Sequence, residues 1–382
     1  MYIKKLKLKN YRNYNEIEIN FDKNINIIYG NNAEGKTNLL ESIYMCSTSK
    51  SHKNSKENEI INFKETESHI KLFLYKESNK DITIDIQLNK DKKKGIAVNK
   101  VKIEKLSEFL GLFNVIMFAP EDLNIIKDGP QVRRKFIDIE ICQIDKIYTV
   151  SLNNYNKTLN ERNILLKDIN NSNVNKKDLI DILDVYDEKI VEYGIQLILK
   201  RKENIKKLAE LIKDIHYKIS DEKEYLIIDY ENDIINSIVP NENVDINSEL
   251  KTNYLKKLKE TREIDIKNQY TGIGPHRDDI SFKIGEKDIR RFGSQGQKKT
   301  AAISLKLSEL RIIKEKTNET PVLLLDDVFS ELDESRQKLL VSNLKDVQTI
   351  ITCTGIKKNI FDLLNPDKIF QVKNNMVIEK IK

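Results

Sequence analysis

Cysteine and histidine are both scarce in this chain, and the few that occur form no pattern. Its 382 residues hold three cysteines (Cys46, Cys142, Cys353) and four histidines (His52, His69, His216, His276). No two cysteines stand as C-x-x-C and no histidines share metal-ligand spacing. That argues against a disulfide framework or a zinc site, and for a reducing compartment. No run approaches the roughly 18 consecutive apolar residues of a membrane span. The opening Met1-Tyr2-Ile3-Lys4-Lys5-Leu6 alternates apolar and charged residues and lacks the apolar stretch of a secretion signal. A soluble, cytoplasmic protein is the expectation. A large charge of one sign is missing as well: Lys and Arg outnumber Asp and Glu by 66 to 60. That excess permits contact with nucleic acid but does not argue for it unless the basic residues cluster.

What is present is patterned. The length suits two or three domains with cores of their own. Ile3, Leu6 and Leu8, then Ile17, Ile19 and Phe21, predict strands on either side of Tyr11-Arg12-Asn13-Tyr14. Ile25-Asn26-Ile27-Ile28-Tyr29 is a short apolar strand running straight into a glycine, and the residues from Asn38 to Cys46 have helical character. Alternation returns from His69 to Val98, with Lys92-Lys93-Lys94-Gly95 as a hairpin turn. From about Arg133 to Tyr225 the apolar spacing becomes three and four. Leu152, Tyr155, Leu159 and Leu166 trace one stripe; Ile190, Gly194, Leu197, Ile205, Leu208, Ile212, Ile215 and Ile219 trace a second. The polar run at 170–175 separates them, predicting an antiparallel helix pair whose second helix has ~40 residues and spans ~60 Å at 1.5 Å per residue. This pair is either a helical lobe packed on the sheet or a short projecting arm. Ile234 to Glu249 reads as a polar linker, and Gln297 to Lys316 as an amphipathic helix. The apolar strands Val322-Leu323-Leu324-Leu325 and Thr349-Ile350-Ile351-Thr352 suggest a buried parallel sheet.

Three motifs carry chemistry. Gly30-Asn31-Asn32-Ala33-Glu34-Gly35-Lys36-Thr37 fits the phosphate-binding loop G-x-x-x-x-G-K-[ST], set between a strand and a helix as that motif requires. Its glycines let the backbone curl into a nest of N–H donors, and the following helix directs its positive end at the phosphates. Lys36 is expected on the β- and γ-phosphates and Thr37 on Mg²⁺, with Asn38 completing the ATP-binding set; a structural glycine turn is the alternative. Val322 to Asp327 is the expected partner, an apolar strand ending in acid. Asp326 would hold Mg²⁺, and Asp327 stands where a general base, or a residue orienting the attacking water, belongs. Ser294-Gln295-Gly296-Gln297 opens the amphipathic helix and offers a second phosphate site at a helix N-terminus. One subunit has one γ-phosphate, already wrapped by the first loop, so the second site would serve another subunit's nucleotide; an ordinary helix cap is the alternative. Ser330-Glu331-Leu332-Asp333 fits the loop lining the dimer seam of ABC-type ATPases, with Ser330 and Asp333 as its contact residues.

Taken together these segments resemble the RecF family. Tyr11-Arg12-Asn13-Tyr14, Phe118-Ala119-Pro120-Glu121-Asp122-Leu123, Pro130 with Arg133-Arg134, Gly274-Pro275-His276-Arg277-Asp278-Asp279 and Leu325-Asp326-Asp327-Val328-Phe329-Ser330-Glu331-Leu332-Asp333 occur in the family's order and cover nearly the whole chain. The resemblance implies an α/β fold of the ABC-type ATPase head, with a mostly parallel core sheet, an N-terminal antiparallel β region and a helical second lobe. It implies an ATPase lobe over 1–130, a helical lobe over 131–299 ending at the signature, and the rest of the ATPase lobe over 300–382. It further implies an ATP-dependent homodimer that loads onto single- and double-stranded DNA at gaps or junctions, with RecO and RecR as partners. Slow, DNA-stimulated ATP hydrolysis with Mg²⁺ belongs to the same expectation. Arg12 would approach the nucleotide phosphates, and Glu121 and Asp122 would lie near the place of the glutamine loop.

The sequence departs from the general ABC pattern in three places. The signature lacks the L-S-G-G-Q double glycine, the second acid is Asp327 rather than Glu, and Thr352-Cys353-Thr354 stand where a histidine is expected. Each suits a slow switch better than a transport motor. The DNA contacts are the least defined: Lys50, His52, Lys53, Arg133 and Arg134 are candidates, with a solvated surface as the plain alternative. A transporter's nucleotide-binding subunit or a short SMC-like ATPase is the competing class. The former should carry the missing histidine, and the latter hundreds of heptad residues. Gly274–Asp279 is either a rigid turn supporting the signature or part of the seam.

Overall fold

The computed structural model describes residues 1–53, 55–78, 80–171, 176–237, 245–355 and 358–381. They divide into two compact units: Met1–Asn124, Asp214–Glu224 and Gln295–Lys382 form the first, Ile125–Lys213 and Tyr225–Ser294 the second. The divisions between these units fall at 124/125 and 294/295, and 214–224 joins the first unit.

The chain opens with β1 (Tyr2–Tyr11), β2 (Tyr14–Asn20), β3 (Ile25–Tyr29), α1 (Lys36–Thr48) and the single turn α2 (Glu57–Ile60). Next come β4 (Glu67–Lys76), β5 (Lys80–Asn89), β6 (Gly95–Val98), β7 (Val101–Lys102), α3 (Leu106–Phe109), β8 (Val115–Phe118) and α4 (Leu123–Lys127). The middle runs through α5 (Pro130–Cys142), α6 (Lys146–Asn171), α7 (Lys176–Ile219), β9 (Leu226–Glu231) and α8 (Ile246–Asn268). Then follow β10 (Asp279–Ile284), β11 (Lys287–Asp288), α9 (Ile289–Phe292) and α10 (Gln295–Thr317). The last stretch holds β12 (Val322–Asp326), α11 (Glu334–Ser342), β13 (Thr349–Cys353), α12 (Lys358–Leu364), β14 (Lys368–Lys373) and β15 (Met376–Lys380).

The first unit contains two six-stranded sheets. One, in the order β2-β1-β4-β5-β6-β7, is antiparallel. Its strands bury alternate residues: Ile70, Leu72 and Leu74 of β4 lie inside, opposite Ile86, Ile84 and Ile82 of β5. In β1 the buried residues are Ile3, Leu6, Leu8 and Tyr11, and the step from Ile3 to Leu6 arises because the pairing with β4 shifts register between Ile3 and Lys5 and a bulge absorbs one residue. The other sheet, β15-β14-β3-β13-β12-β8, is parallel throughout except for β15. Val322–Leu325 and Val115–Phe118 are buried at every position, as strands covered on both faces must be. Helix α1 is buried from Leu39 to Thr48, so its sequence is apolar or uncharged nearly all round, Glu41 excepted.

In the second unit α5 packs on β10 and α6 on α8. The small sheet β11-β10-β9 is antiparallel. Helix α7 has 44 residues, about 66 Å at 1.5 Å per residue. Ile190, Leu197, Ile205, Leu208, Ile212, Ile215 and Ile219 are all buried along it. Two buried arginines brace the helices: Arg162 meets Asp187 at 2.7 Å and Asp265 at 2.9 Å, and Arg201 meets Asp138 and Asp278. Two expectations need correction. Strand β9 was hidden between a helix and a presumed linker, because only Leu226 and Ile228 mark its buried face. The linker expected over Ile234–Glu249 ends early, since Asp245 caps α8 by accepting from the Ser248 N–H. Residues 172–175 of the expected polar loop and 238–244 of that linker lie outside the described residues.

Candidate nucleotide-binding site

Strand β3 ends against the loop Gly30–Gly35, and α1 begins at Lys36. Gly30 is packed so closely that a Cβ there would lie 2.4 Å from the carbonyl oxygen of Val372 in β14. Ala33 (φ 65°) and Gly35 (φ 104°) are both left-handed, which turns the loop back on itself. A Cβ at Gly35 would meet the Asn13 Nδ2 at 2.5 Å and the Tyr14 hydroxyl at 2.9 Å, so glycine is required there on two counts. The loop satisfies itself. Lys36 is buried and its Nζ donates to the carbonyls of Gly30 (2.7 Å) and Asn31 (2.8 Å), while Glu34 accepts from the Asn31 N–H at 3.1 Å. Asn31, Asn32 and Ala33 are exposed at the mouth.

The acidic strand arrives beside this loop through the parallel register. Asp326 pairs with Thr352 across β12 and β13, and β13 pairs with β3. The Thr37 hydroxyl donates to Asp326 Oδ1 at 3.0 Å, and the Thr352 hydroxyl donates to the same oxygen at 2.6 Å. A buried carboxylate flanked by two hydroxyls, one of them from the phosphate loop, is the donor set a hard divalent cation takes. Asp327 leaves the strand in a left-handed conformation (φ 52°) and its N–H donates to the Thr352 carbonyl at 3.1 Å. Beside it, burial and the Asp327 charge push the Cys353 thiol up to about 11. Ser330 donates to the Asp327 carbonyl at 2.7 Å. Asp333 caps α11 by accepting from the Arg336 N–H at 3.0 Å, and that bond holds its carboxyl below the usual range.

Arg12 is held by protein groups on the face of α1. Its guanidinium donates to the buried Glu41 of α1 (Nε 2.9 Å, Nη2 2.7 Å), to the Ser55 hydroxyl and to the Glu59 carbonyl. Although burial pushes the Glu41 carboxyl up, the Arg12 and Ser51 hydrogen bonds hold it below the usual range. Sequence reasoning missed Glu41 and Thr352 as site residues. An acid inside a helix otherwise buried all round was the available signal for Glu41. For Thr352 it was a polar residue ending an apolar strand in parallel with Asp326.

Of the signature, Ser294 and Gln295 are exposed, while Gly296 and Gln297 are half-buried. Gln295, Gly296 and Gln297 belong to the first unit, where the Gln297 amide donates to Glu224 at 2.7 Å; Ser294 ends the second. Gly274–Asp279 turns inward within the second unit. A Cβ at Gly274 (φ 137°) would sit 2.2 Å from the Tyr254 hydroxyl; His276 bonds Tyr155 (2.7 Å) and the Thr271 carbonyl (2.9 Å). Asp278 accepts from Arg201, Tyr230 and Asn232. Of the DNA candidates, Lys50 and Lys53 are exposed and His52 is half-buried against Tyr44. Arg133 is 2% exposed, with its donors on Asp279 (2.6 and 2.8 Å), Asp128 and Ile125, so burial removes it from any docking surface. Arg134 is half-buried and donates to the Asp278 carbonyl.

Among the described residues, no helix is long and apolar enough to cross a membrane. Residues 2–378 match the family model described as the RecF/RecN/SMC N terminal domain. The chain is 48% identical over 380 residues to the DNA replication and repair protein RecF of Lachnospira eligens, covering all of both chains. It is 46% identical over 379 residues to that of Clostridium tetani, covering 99% of this chain and 100% of that one. A solved structure of the recombination mediator protein RecF with ATP, from the RecFOR pathway, superposes with a TM-score of 0.91 at 36% identity, over 100% of this chain and 98% of that one. An SMC head bound to the C-terminal winged-helix domain of ScpA superposes at 0.55 and 16% identity over 100% and 98%, a likeness of fold alone. With an ABC/SMC-head α/β fold, a phosphate loop joined to an acidic strand, and full-length relatives of one kind, the chain belongs to the RecF family of DNA replication and repair proteins.

Proposed function

We propose that this chain is an ATP-dependent DNA-binding protein of replication and gap repair, which dimerises around ATP and hydrolyses it slowly when bound to DNA. The observation that carries the reading is the 3.0 Å contact between Thr37 and Asp326, which joins the phosphate loop to the acidic strand. The residues fit ATP with Mg²⁺. Lys36, now resting on loop carbonyls, would turn to the β- and γ-phosphates; the backbone of Gly30–Thr37 and the start of α1 with Asn38 would surround them. Thr37 and Asp326 would hold Mg²⁺, which when bound neutralises charge between those phosphates. Asp327 would orient the attacking water. Arg12 would act at one remove, fixing α1 through Glu41. Ser294–Gln297 of a second copy, with Ser330 and Asp333 along the seam, would complete the site. Lys50 and Lys53, with His52 beside them, would meet the DNA backbone, and RecO- and RecR-type proteins would be the partners. The relative solved with ATP in the RecFOR pathway supports the ligand and the setting.

The test is a light-scattering mass with and without ATP-Mg²⁺, with a gapped duplex in a parallel sample. The expected result is a monomer that becomes a dimer with ATP and a more stable one with DNA. A mass indifferent to both ligands would remove the ATP-driven dimer.

A further inference from the structure

Asn13 itself was given no chemical task by sequence reasoning, yet the phosphate loop, the start of α1 and the C-terminal hairpin meet at its amide. Its Nδ2 donates to the Glu34 carbonyl of the phosphate loop (3.0 Å) and to the Asn375 Oδ1 (2.6 Å). Its Oδ1 accepts from the Asn38 Nδ2 at 2.8 Å. Asn13 stands in the tight turn between β1 and β2, and Asn375 stands in the turn between β14 and β15. Asn374 (φ 52°) and Asn375 (φ 60°) are both left-handed. A two-residue hairpin turn of type I′ demands that conformation, and asparagine tolerates it best after glycine. The turn chemistry thus fixes where the Asn375 side chain is presented.

The loop is hemmed in on both sides by this arrangement. The Asn13 amide lies against the left-handed Gly35, where a Cβ would be 2.5 Å from it. The Val372 carbonyl of β14 lies against Gly30. One hairpin therefore touches the loop directly at Gly30 and, through Asn13, at Glu34.

We propose that Asn13 is a positioning residue for nucleotide binding: its amide clasps the phosphate loop to the tip of the C-terminal hairpin and keeps the loop in its receiving shape. This rests on the nucleotide reading of the loop given above. A loop with two left-handed residues has other conformations open to it once unbraced. Affinity then falls by the fraction of molecules still competent. All of Asn13's hydrogen bonds stay within the protein, so its loss should weaken binding without slowing the chemical step.

The experiment uses the full chain and titrates ATP-Mg²⁺ calorimetrically, alongside steady-state hydrolysis and thermal melting. Asn13→Ala is expected to weaken ATP binding on the order of tenfold, from the loss of a few hydrogen bonds. KM should rise with kcat unchanged to within about twofold. Asn13→Asp still accepts from Asn38 and, by rotation of the Asn375 amide, from the hairpin, but offers no donor to the Glu34 carbonyl. It should bind as weakly as Asn13→Ala, and it carries the test if the alanine variant melts early. Asn375→Ala should lose less, and the double variant should be no weaker than Asn13→Ala alone, because both act through one link. Wild-type affinity in Asn13→Asp, additive losses, or a fall in kcat matching the rise in KM would each overturn the proposal. Lys36→Ala is run in parallel: if that variant also bound ATP normally, the nucleotide reading itself would fall, whereas loss there with normal binding in Asn13→Asp would sink only the clasp.

Discussion

Lys36 sits with its ammonium on two carbonyls of its own loop, and among the described residues no carboxylate is a hydrogen-bond partner of it. Such bonds are readily exchanged for those of a phosphate, since an ionised acceptor makes roughly twice the hydrogen bond that a neutral one does. Lys36→Ala is therefore expected to weaken ATP binding at least ~100-fold, beyond what losing one charge-assisted bond implies, because the phosphates would then face an uncompensated site. Nucleotide titration checks this, and unchanged affinity would remove the phosphate-loop assignment. Histidine supplies a second prediction at this scale. His216 is buried and His276 half-buried, and desolvation lowers each from 6.5 to about 4. Between those values the unfolded chain binds protons at these two sites that the folded chain does not, so their contribution to stability falls as pH drops from 6.5 towards 4. Denaturant midpoints taken across that window should decline, and the decline should flatten in His276→Gln. An equally steep decline in the variant would exclude His276 as a contributor.

At the scale of elements, strands and helices that bury a regular face were legible in the sequence. Of the parallel strands, β3, β12 and β13 were read from short, largely apolar runs while β8 and β14 were not, and α7 was read from its three- and four-residue spacing. Features that depend on partners far along the chain were not. Thr37 and Asp326 are 289 residues apart, and Asn13 and Asn375 are 362 apart. The first pair was anticipated because its chemistry demands a matched acid. The second was invisible, since asparagine in two separate turns is what any turn prefers. Strand β9 escaped for a related reason, its pattern being too short to count until β10 is seen to pair with it. Helix α10 provides the test of the composite site. Ser294 is exposed immediately before it and lies outside the phosphate-loop motif in sequence. Ser294→Arg should leave ATP affinity of the monomer unchanged to within about twofold while abolishing the ATP-dependent dimer in light scattering. A normal dimer would mean that the seam lies elsewhere.

For the molecule as a whole, a formal charge of +6 on 382 residues gives no strong field, so any grip on DNA must come from local groups such as Lys50 and Lys53. Replacing both by alanine should weaken binding to duplex of any sequence and lower the slope of log K against log salt by about 2, one per lysine. An unchanged slope would place the contact on another face. The first unit is also discontinuous, assembled from 1–124, 214–224 and 295–382 with the whole second unit encoded in between. On a ribosome adding roughly 5–20 residues per second, Asp326 emerges some ~15–60 s after Thr37. For that interval the phosphate loop exists as an emerged segment with no acid to share a cation, and nucleotide cannot assist its folding. A nascent chain stalled after Ser294 has left the ribosome, but with Asp326 still inside the exit tunnel, should therefore shield 125–294 from protease while its N-terminal segment is still cut, with or without ATP. Protection of both halves at that length would show that the N-terminal strands hold together before their parallel neighbours are made.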